Sequence, residues 1–105
     1  MEHITELTNG MFDEFIKEGL VLIDFFADWC MPCLMMAPIL EEVGEKLAKK
    51  MKIGKVDVGE NQHIASKFGV SSIPNFVLFK DGEVIEQFTG SIPAEELEEK
   101  LNKHL

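Results

Sequence analysis

Two cysteines separated by two residues are the side chains of this sequence with the clearest capacity for chemistry. Cys30 and Cys33 enclose Met31 and Pro32, and the chain has no other cysteine. A C-x-x-C pair can be a catalytic dithiol, a pair of metal ligands or a structural disulfide. In the first case one thiolate attacks a disulfide to give a mixed disulfide, and the second thiol completes the exchange. In this chain the pair favours reversible thiol–disulfide exchange.

The residues around the pair predict that it lies where a buried strand is followed by a helix. Residues 20–27 form an apolar run interrupted only by Asp24, as in a strand buried on both faces. Residues 30–50 repeat apolar side chains at helical spacing. Cys30 would then lie at the helix start, where unpaired N–H groups and the helix dipole favour the thiolate. We therefore expect Cys30 to be the exposed attacking thiol and Cys33 the more buried resolving thiol, with Pro32 restricting the first turn.

The remaining elements follow from periodicity and turn residues. Further helices are predicted at residues 8–18, with Thr8 as cap, at residues 61–68, and from Pro93 onwards, with Leu97, Leu101 and Leu105 as a buried stripe. Strands are predicted at residues 52–58, 75–79 and 83–89, the last two joined by an Asp-Gly turn. With a first strand that is not assigned to residues, the order is β-α-β-α-β-α-β-β-α. It predicts a single α/β domain over residues 1–105, with a mixed central sheet and helices on both faces.

Charge and composition disfavour several classes of protein. The formal net charge is −9, which disfavours nucleic-acid binding. No apolar run approaches the roughly 20 residues that a membrane helix needs. Residues 1–11 lack the basic start and apolar run of a secretory signal, so we expect a reducing, cytoplasmic compartment. A monomer is the default expectation.

Other interpretations of the cysteine pair remain open at this point. The pair could be a passive disulfide or two idle thiols. His3, His63 and His104 follow no metal-ligand spacing, so one chain is expected to hold no metal and no cofactor. A dimer could still pool two pairs around zinc or an iron–sulfur cluster.

Over essentially its whole length the sequence resembles the thioredoxin family. The resemblance runs through the segment Leu-Ile-Asp-Phe-Phe-Ala-Asp-Trp-Cys-Met-Pro-Cys at 22–33, Ala-Pro at 37–38, Lys-Val-Asp at 55–57, Val-Ser-Ser-Ile-Pro at 70–74, Asp-Gly at 81–82, and Gly90. It implies the thioredoxin fold and the reduction of protein disulfides. Members of this family are standard examples of a thiol activated in this way, so the expectation for Cys30 is not independent of the resemblance.

The resemblance also implies roles for residues outside the motif. Asp24 would be a buried carboxylate that takes or relays the proton of Cys33, and its burial alone predicts a raised pKa. The alternative is an Asp satisfied by backbone groups or a lysine. Lys55 would be the neighbour of Asp24, or otherwise a surface lysine at a strand edge. Pro74 would be a cis-proline facing the pair that leaves Ile73 free to bind an extended substrate, or otherwise a trans turn.

An apolar surface beside the pair is implied as the docking site. Its members would be Trp29, Met31, Pro32, Ile73, Pro74 and Gly90, each of which taken singly could be ordinary core or surface. Three residues depart from the usual pattern: Met31 replaces a glycine, Leu34 replaces a lysine or arginine, and Phe26 replaces a tryptophan. These changes leave the chemistry intact and put the redox potential and the choice of partner in doubt.

The partners implied are protein disulfides as substrates and a thioredoxin reductase-type flavoprotein using NADPH as electron donor. The alternatives are a disulfide isomerase, a glutaredoxin-like enzyme linked to glutathione, or a module that binds partners without catalysis.

Overall fold

A central sheet with helices on both faces organises the protein. The structure is a computed structural model that describes residues 3–8 and 10–105. The elements are β1 (Ile4–Glu6), α1 (Phe12–Ile16), β2 (Leu20–Phe26), α2 (Met31–Lys46), β3 (Met51–Asp57), α3 (Gln62–Lys67), β4 (Asn75–Lys80), β5 (Glu83–Thr89) and α4 (Ala94–Asn102). Their order confirms the predicted β-α-β-α-β-α-β-β-α arrangement, and β1 supplies the strand that had no residues assigned.

The sheet places β2 at its centre. The strand order is β1-β3-β2-β4-β5. β1, β3 and β2 are parallel, whereas β4 runs antiparallel to β2 and β5 runs antiparallel to β4. The predicted mixed sheet is confirmed. Because β2 has a strand on each side and helices on each face, its near-continuous apolar sequence is the one expected of a fully buried strand.

Alternate side chains of β2 belong to two separate cores. Leu22 packs with the buried side chains of α2 and α4, while Ile23 packs with those of α1. The first core also includes Met36, Leu40, Val43, Leu97 and Leu101, and the second includes Phe12, Ile16, Phe25, Val77 and Phe79. Because successive side chains of a strand point to opposite faces of the sheet, β2 contributes to the core on each face.

Two helix boundaries differ from the prediction. α1 begins at Phe12, and the hydroxyl of Thr8 contacts Sδ of Met11 at 3.2 Å instead of capping the helix. Asn9, which falls within the predicted helix, lies outside the described residues. α2 ends at Lys46 because Leu47 leaves helical geometry, with φ −106° and ψ 13°. The chain turns there to enter β3, and N–H of Met51 donates to the carbonyl of Leu47 at 3.0 Å.

The predicted apolar stripe of α4 is wrong at its last member. Leu97 and Leu101 are buried, but Leu105 is exposed. Because α4 ends at Asn102, the four-residue spacing no longer carries Leu105 to the buried side. Among the described residues no helix is long and apolar enough to span a membrane.

We expect Leu101→Ala to destabilise the protein by about 2–5 kcal/mol, because it opens a cavity in a core that cannot fully collapse. Leu105→Ala is the matched control on the same segment and should change stability by less than about 0.5 kcal/mol, since Leu105 is exposed. Urea unfolding of both variants measures this. Equal midpoints would contradict the packing described for α4.

Candidate active site

The turn between β2 and α2 places Cys30 on the first turn of the helix. N–H of Cys30 donates to the carbonyl of Ala27 at 3.2 Å, and Cys30 is the N-cap of α2 in an extended conformation. Its Sγ accepts a hydrogen bond from N–H of Cys33 at 3.2 Å. An unpaired helix N–H is thus directed at the sulfur of Cys30, where it would stabilise negative charge.

Cys30 and Cys33 form a disulfide. Their Cα atoms are 5.2 Å apart, within the ordinary range for a disulfide. The pair is therefore preorganised by the first turn of α2, and reduction would leave two thiols facing each other.

The predicted difference in exposure between the two cysteines is wrong for this disulfide form. Both residues are 5% exposed. Together with Ala27 they form a small cluster, against which Phe26, Val58 and Ile73 pack. Val58 and Ile73, which are distant from the pair in sequence, thus contribute to burying the cluster that contains Cys30. The two sulfurs are distinguished by the hydrogen bond from N–H of Cys33 rather than by exposure.

Asp24 is a buried carboxyl in β2. Burial raises its pKa from the usual 3.8 to about 7, and the nearby charge of Lys55 acts in the opposite direction. This is the direction that the sequence predicts. Oδ1 of Asp24 has no hydrogen-bond partner among the described residues, so this oxygen is not satisfied by backbone groups or by a lysine as the alternative required.

Asp24 and Cys33 line the same cavity. It has a volume of about 110 Å³, and its lining includes Asp24, Cys33, Leu34 and Lys55. A water molecule needs about 10–15 Å³ of such space, so the cavity can hold several. Asp24 and Cys33 therefore line one space that can hold water between them.

Lys55 lies beside Asp24 in the sheet. The parallel register of β2 and β3 pairs these two residues directly. Since β3 lies between β1 and β2, Lys55 is not on an edge strand, and it is half-buried. Its Nζ lies 5.0 Å from the centroid of the Phe26 ring, in cation–π geometry. The Lys55 ammonium thus contacts the ring of Phe26, and its charge lowers the pKa of the Asp24 carboxyl.

The Ile73–Pro74 segment packs beside the disulfide. The peptide bond between these residues is cis, as the resemblance implies. Ile73 contacts the cysteine cluster, and the carbonyl of Pro74 accepts a hydrogen bond from N–H of Gly90 at 2.9 Å. Gly90 has a φ of 86°, a conformation that favours glycine. The structure therefore places Ile73 against the cysteine cluster, and Pro74 and Gly90 follow from it through the chain and this hydrogen bond.

The expected docking residues differ in exposure. Trp29, Met31 and Pro32 are exposed, Ile73 and Gly90 are half-buried, and Pro74 is buried. Pro74 can therefore support the surface but presents little of its own ring. The structure adds two exposed apolar side chains that were not assigned to this surface, Leu34 and Met35. Met35 follows Met31 by four residues, and this helical spacing was the signal that could have identified it.

Two histidines are engaged with carboxylates. Nδ1 of His3 lies 2.8 Å from Glu41, and Nε2 of His104 lies 3.1 Å from Glu86. Within the described part of the chain no three His, Cys, Asp or Glu side chains are grouped as metal ligands.

Comparisons with known proteins agree on one family. The family model described as thioredoxin matches residues 3–103. The thioredoxin of Bacillus subtilis is 50% identical over 102 residues, which cover 97% of this chain and 98% of that protein. The thioredoxin of Listeria monocytogenes is 48% identical over 102 residues, 97% of this chain and 99% of that protein. A solved structure, a mutant thioredoxin from Halobacterium salinarum, superposes with a TM-score of 0.90 at 34% identity, covering 97% of this chain and 90% of that one.

We expect Asp24→Asn to stabilise the protein in a pH-dependent manner. The unfolded chain releases the Asp24 proton near pH 3.8 and the folded protein near pH 7, so folding of the parent becomes less favourable as pH rises between these values. This difference in the pKa of Asp24 between the unfolded and folded states corresponds to about 4 kcal/mol of unfolding free energy. An Asn at this position does not titrate, so the variant does not lose this stability as pH rises. The variant should therefore gain stability relative to the parent as pH rises from 4 to 8. The difference between their free energies of unfolding should increase by about 4 kcal/mol. A difference that stays constant with pH, measured by urea unfolding, would contradict the buried carboxyl.

Proposed function

Because this chain belongs to the thioredoxin family, we propose that it reduces protein disulfides with Cys30 as the attacking thiol and Cys33 as the resolving thiol. The chain is a thiol–disulfide oxidoreductase with disulfide reductase activity. The observation that supports the assignment of roles is the hydrogen bond from N–H of Cys33 to Sγ of Cys30. It favours the ionised form of Cys30, which is the nucleophile in exchange.

The first step forms a mixed disulfide. The Cys30 thiolate attacks one sulfur of the substrate disulfide, the substrate S–S bond breaks, and the other substrate sulfur leaves as a thiolate that takes up a proton. Cys30 is then bonded to the substrate. The first turn of α2 stabilises the thiolate before attack and when it forms again in the reverse reaction.

The second step releases the substrate. Cys33 gives its proton to the Asp24 carboxylate through the cavity they share, and the resulting thiolate attacks the sulfur of Cys30. The mixed disulfide breaks, the second substrate sulfur leaves as a thiolate that takes up a proton, and the Cys30–Cys33 disulfide forms. Asp24 suits this task because a group whose pKa is about 7 is present in both protonation states at neutral pH. Lys55 lowers that pKa and so keeps part of Asp24 ionised.

The substrate binds as an extended segment across the apolar surface. Pro74 has no N–H, so the backbone of Ile73 is the group available for pairing with a substrate strand. Trp29, Met31 and Pro32 surround the disulfide with exposed apolar side chains, and Gly90 lies next to Pro74. Protein segments are the natural occupants because backbone pairing does not depend on the substrate side chains.

The electron donor, the cellular compartment and the oligomeric state are proposed from the same family membership. A thioredoxin reductase-type flavoprotein using NADPH would return the disulfide to the dithiol. The chain would act in the cytoplasm as a monomer of one domain over residues 1–105, because its strands belong to one sheet and the cysteine pair suits a reducing compartment. With a net charge of −9 we expect no nucleic-acid partner and no membrane association.

Turnover with a thioredoxin reductase-type donor but not with glutathione alone would separate this function from a glutaredoxin-like one.

Cys33→Ser should trap substrates. Without the resolving thiol, Cys30 attacks and then holds the protein substrate as a stable mixed disulfide, which non-reducing electrophoresis and mass spectrometry detect. Cys30→Ser is the matched control and should trap nothing. If Cys30→Ser trapped protein substrates through Cys33 and Cys33→Ser did not, the two roles would be reversed.

Asp24→Asn should slow resolution of the mixed disulfide by roughly 10²-fold, the lower part of the range for general base catalysis. The parent rate should rise with pH around the Asp24 pKa of about 7, and the variant should lack this inflection. Lys55→Gln should move the inflection to higher pH, since Lys55 lowers the Asp24 pKa. Rapid-mixing measurements of substrate release provide the profiles. An inflection that is identical in all three proteins would exclude Asp24 as the base.

A further inference from the structure

Two exposed methionines lie beside the redox disulfide. Met31 is 67% exposed and Met35 is 65% exposed, and they are one helical turn apart at the start of α2. Met36 and Met51 are buried, and Met11 is 39% exposed in the loop before α1. When Cys30 and Cys33 are bonded, the described chain has no free thiol. Met31 and Met35 are then the most exposed sulfur-bearing side chains of the described residues.

We propose that hydroperoxides modify this protein at Met31 and Met35, and that the resulting sulfoxides weaken its binding to protein disulfides. This inference rests on the proposed function, because it assigns a regulatory state to the surface on which substrates dock. In the modification a lone pair of the thioether sulfur attacks a peroxide oxygen. The O–O bond breaks, an S–O bond forms, and the hydroperoxide leaves as water or an alcohol that keeps the proton. The sulfur is oxidised by two electrons and the peroxide is reduced by two.

The effect on docking follows from the surroundings of the two side chains. Trp29 and Leu34 are also exposed apolar side chains, and with Met31 and Met35 they lie within five residues of Cys30 or Cys33 in the sequence. Met35 also lines a groove of about 270 Å³ with Met36, Ile39, Ser91, Ile92 and Pro93. A sulfoxide is polar, and a polar group that is covered by an apolar segment loses its hydration without gaining a partner. Small disulfides reach the sulfurs without covering this surface, so their reduction should not change.

The test treats the full chain in its disulfide form with hydrogen peroxide. Peptide mass spectrometry should show one added oxygen on Met31 and on Met35 before Met36 or Met51 reacts. The cysteines are then returned to the dithiol with dithiothreitol, and the sulfoxides remain because their repair needs dedicated reductases. The KM for insulin disulfides should rise roughly tenfold, the factor expected when about 1.4 kcal/mol of apolar contact is lost. The rate with a small aromatic disulfide should stay within the error of the untreated protein.

Two variants serve as controls, each compared with its own untreated form. In Met31→Leu/Met35→Leu the side chains stay apolar and of similar volume but carry no thioether, so peroxide should leave the KM for insulin unchanged. Met11→Leu removes a less exposed thioether away from the disulfide, and peroxide should still raise the KM as in the parent.

The inference is overturned if Met31 and Met35 are not the first methionines to be oxidised, or if their oxidation leaves the KM for insulin unchanged. It is also overturned if the double variant loses affinity after peroxide as the parent does, or if reduction of the small disulfide falls in parallel. Failure of the proposed function would be recognised separately, because the protein would then not reduce insulin even before peroxide treatment. That result would overturn the proposed function and this inference with it.

Discussion

The start of α2 directly beneath the sulfur of Cys30 is the constraint on which the rest of the structure depends. A helix can direct an unpaired N–H at a sulfur only if the chain leaves the preceding strand and turns within a few residues. Here β2 ends at Phe26, α2 begins at Met31, and the turn between them is held by the hydrogen bond from Cys30 to Ala27. β2 must therefore be held firmly in place, and it is the central strand of the sheet with an apolar core packed on each face.

The same central strand carries the main cost of the site. Asp24 stands among apolar residues of β2, where burial favours its protonated form. Near neutral pH the free energy of unfolding is lower, by the order of a few kcal/mol, than it would be with Asn at this position. The whole free energy of unfolding of a domain is typically only about 5–15 kcal/mol. The paired strands and two apolar cores offset this cost. Lys55 reduces the cost, but its ammonium is held on the ring of Phe26 and forms no ion pair within 4.0 Å of Asp24 among the described residues. The carboxyl therefore keeps a pKa at which it can exchange a proton.

The sequence was sufficient for features that depend on local pattern. The apolar run interrupted by Asp24 predicted both the buried strand and the raised pKa, and the Asp-Gly turn predicted the hairpin of β4 and β5. It failed where distant segments decide the outcome. Cys30 was expected to be exposed because the helix start alone leaves it open, but it is buried in a cluster against which Val58 and Ile73 pack. The three residues of β1 are too few to show a period, and that strand exists because β3 offers an edge to pair with.

The roles of Asp24, Lys55 and Pro74 were accessible only through the resemblance, whereas those of Cys30 and Cys33 followed from their positions at the start of the helix. Nothing local distinguishes a cis Ile73–Pro74 bond from a trans one, and no spacing rule pairs Asp24 with Lys55. That pairing requires β3 to lie next to β2 in a parallel register, which is a property of the whole sheet. The exposed Met35 is the opposite case, because the four-residue spacing from Met31 was sufficient to place it on the same side of α2.

The charge distribution limits how this protein can recognise a substrate. The chain carries a net charge of −9, and Leu34 lies where the family usually has a cation. Lys55 is half-buried against Phe26, so it offers little charge to a docking partner. On the proposed function, attraction must come from burying Trp29, Met31, Leu34 and Met35, which is non-directional and depends little on salt. Orientation must come from the backbone of Ile73. A surface that combines non-directional attraction with backbone pairing selects substrates by the accessibility of their disulfide and by nearby apolar side chains, rather than by their charge.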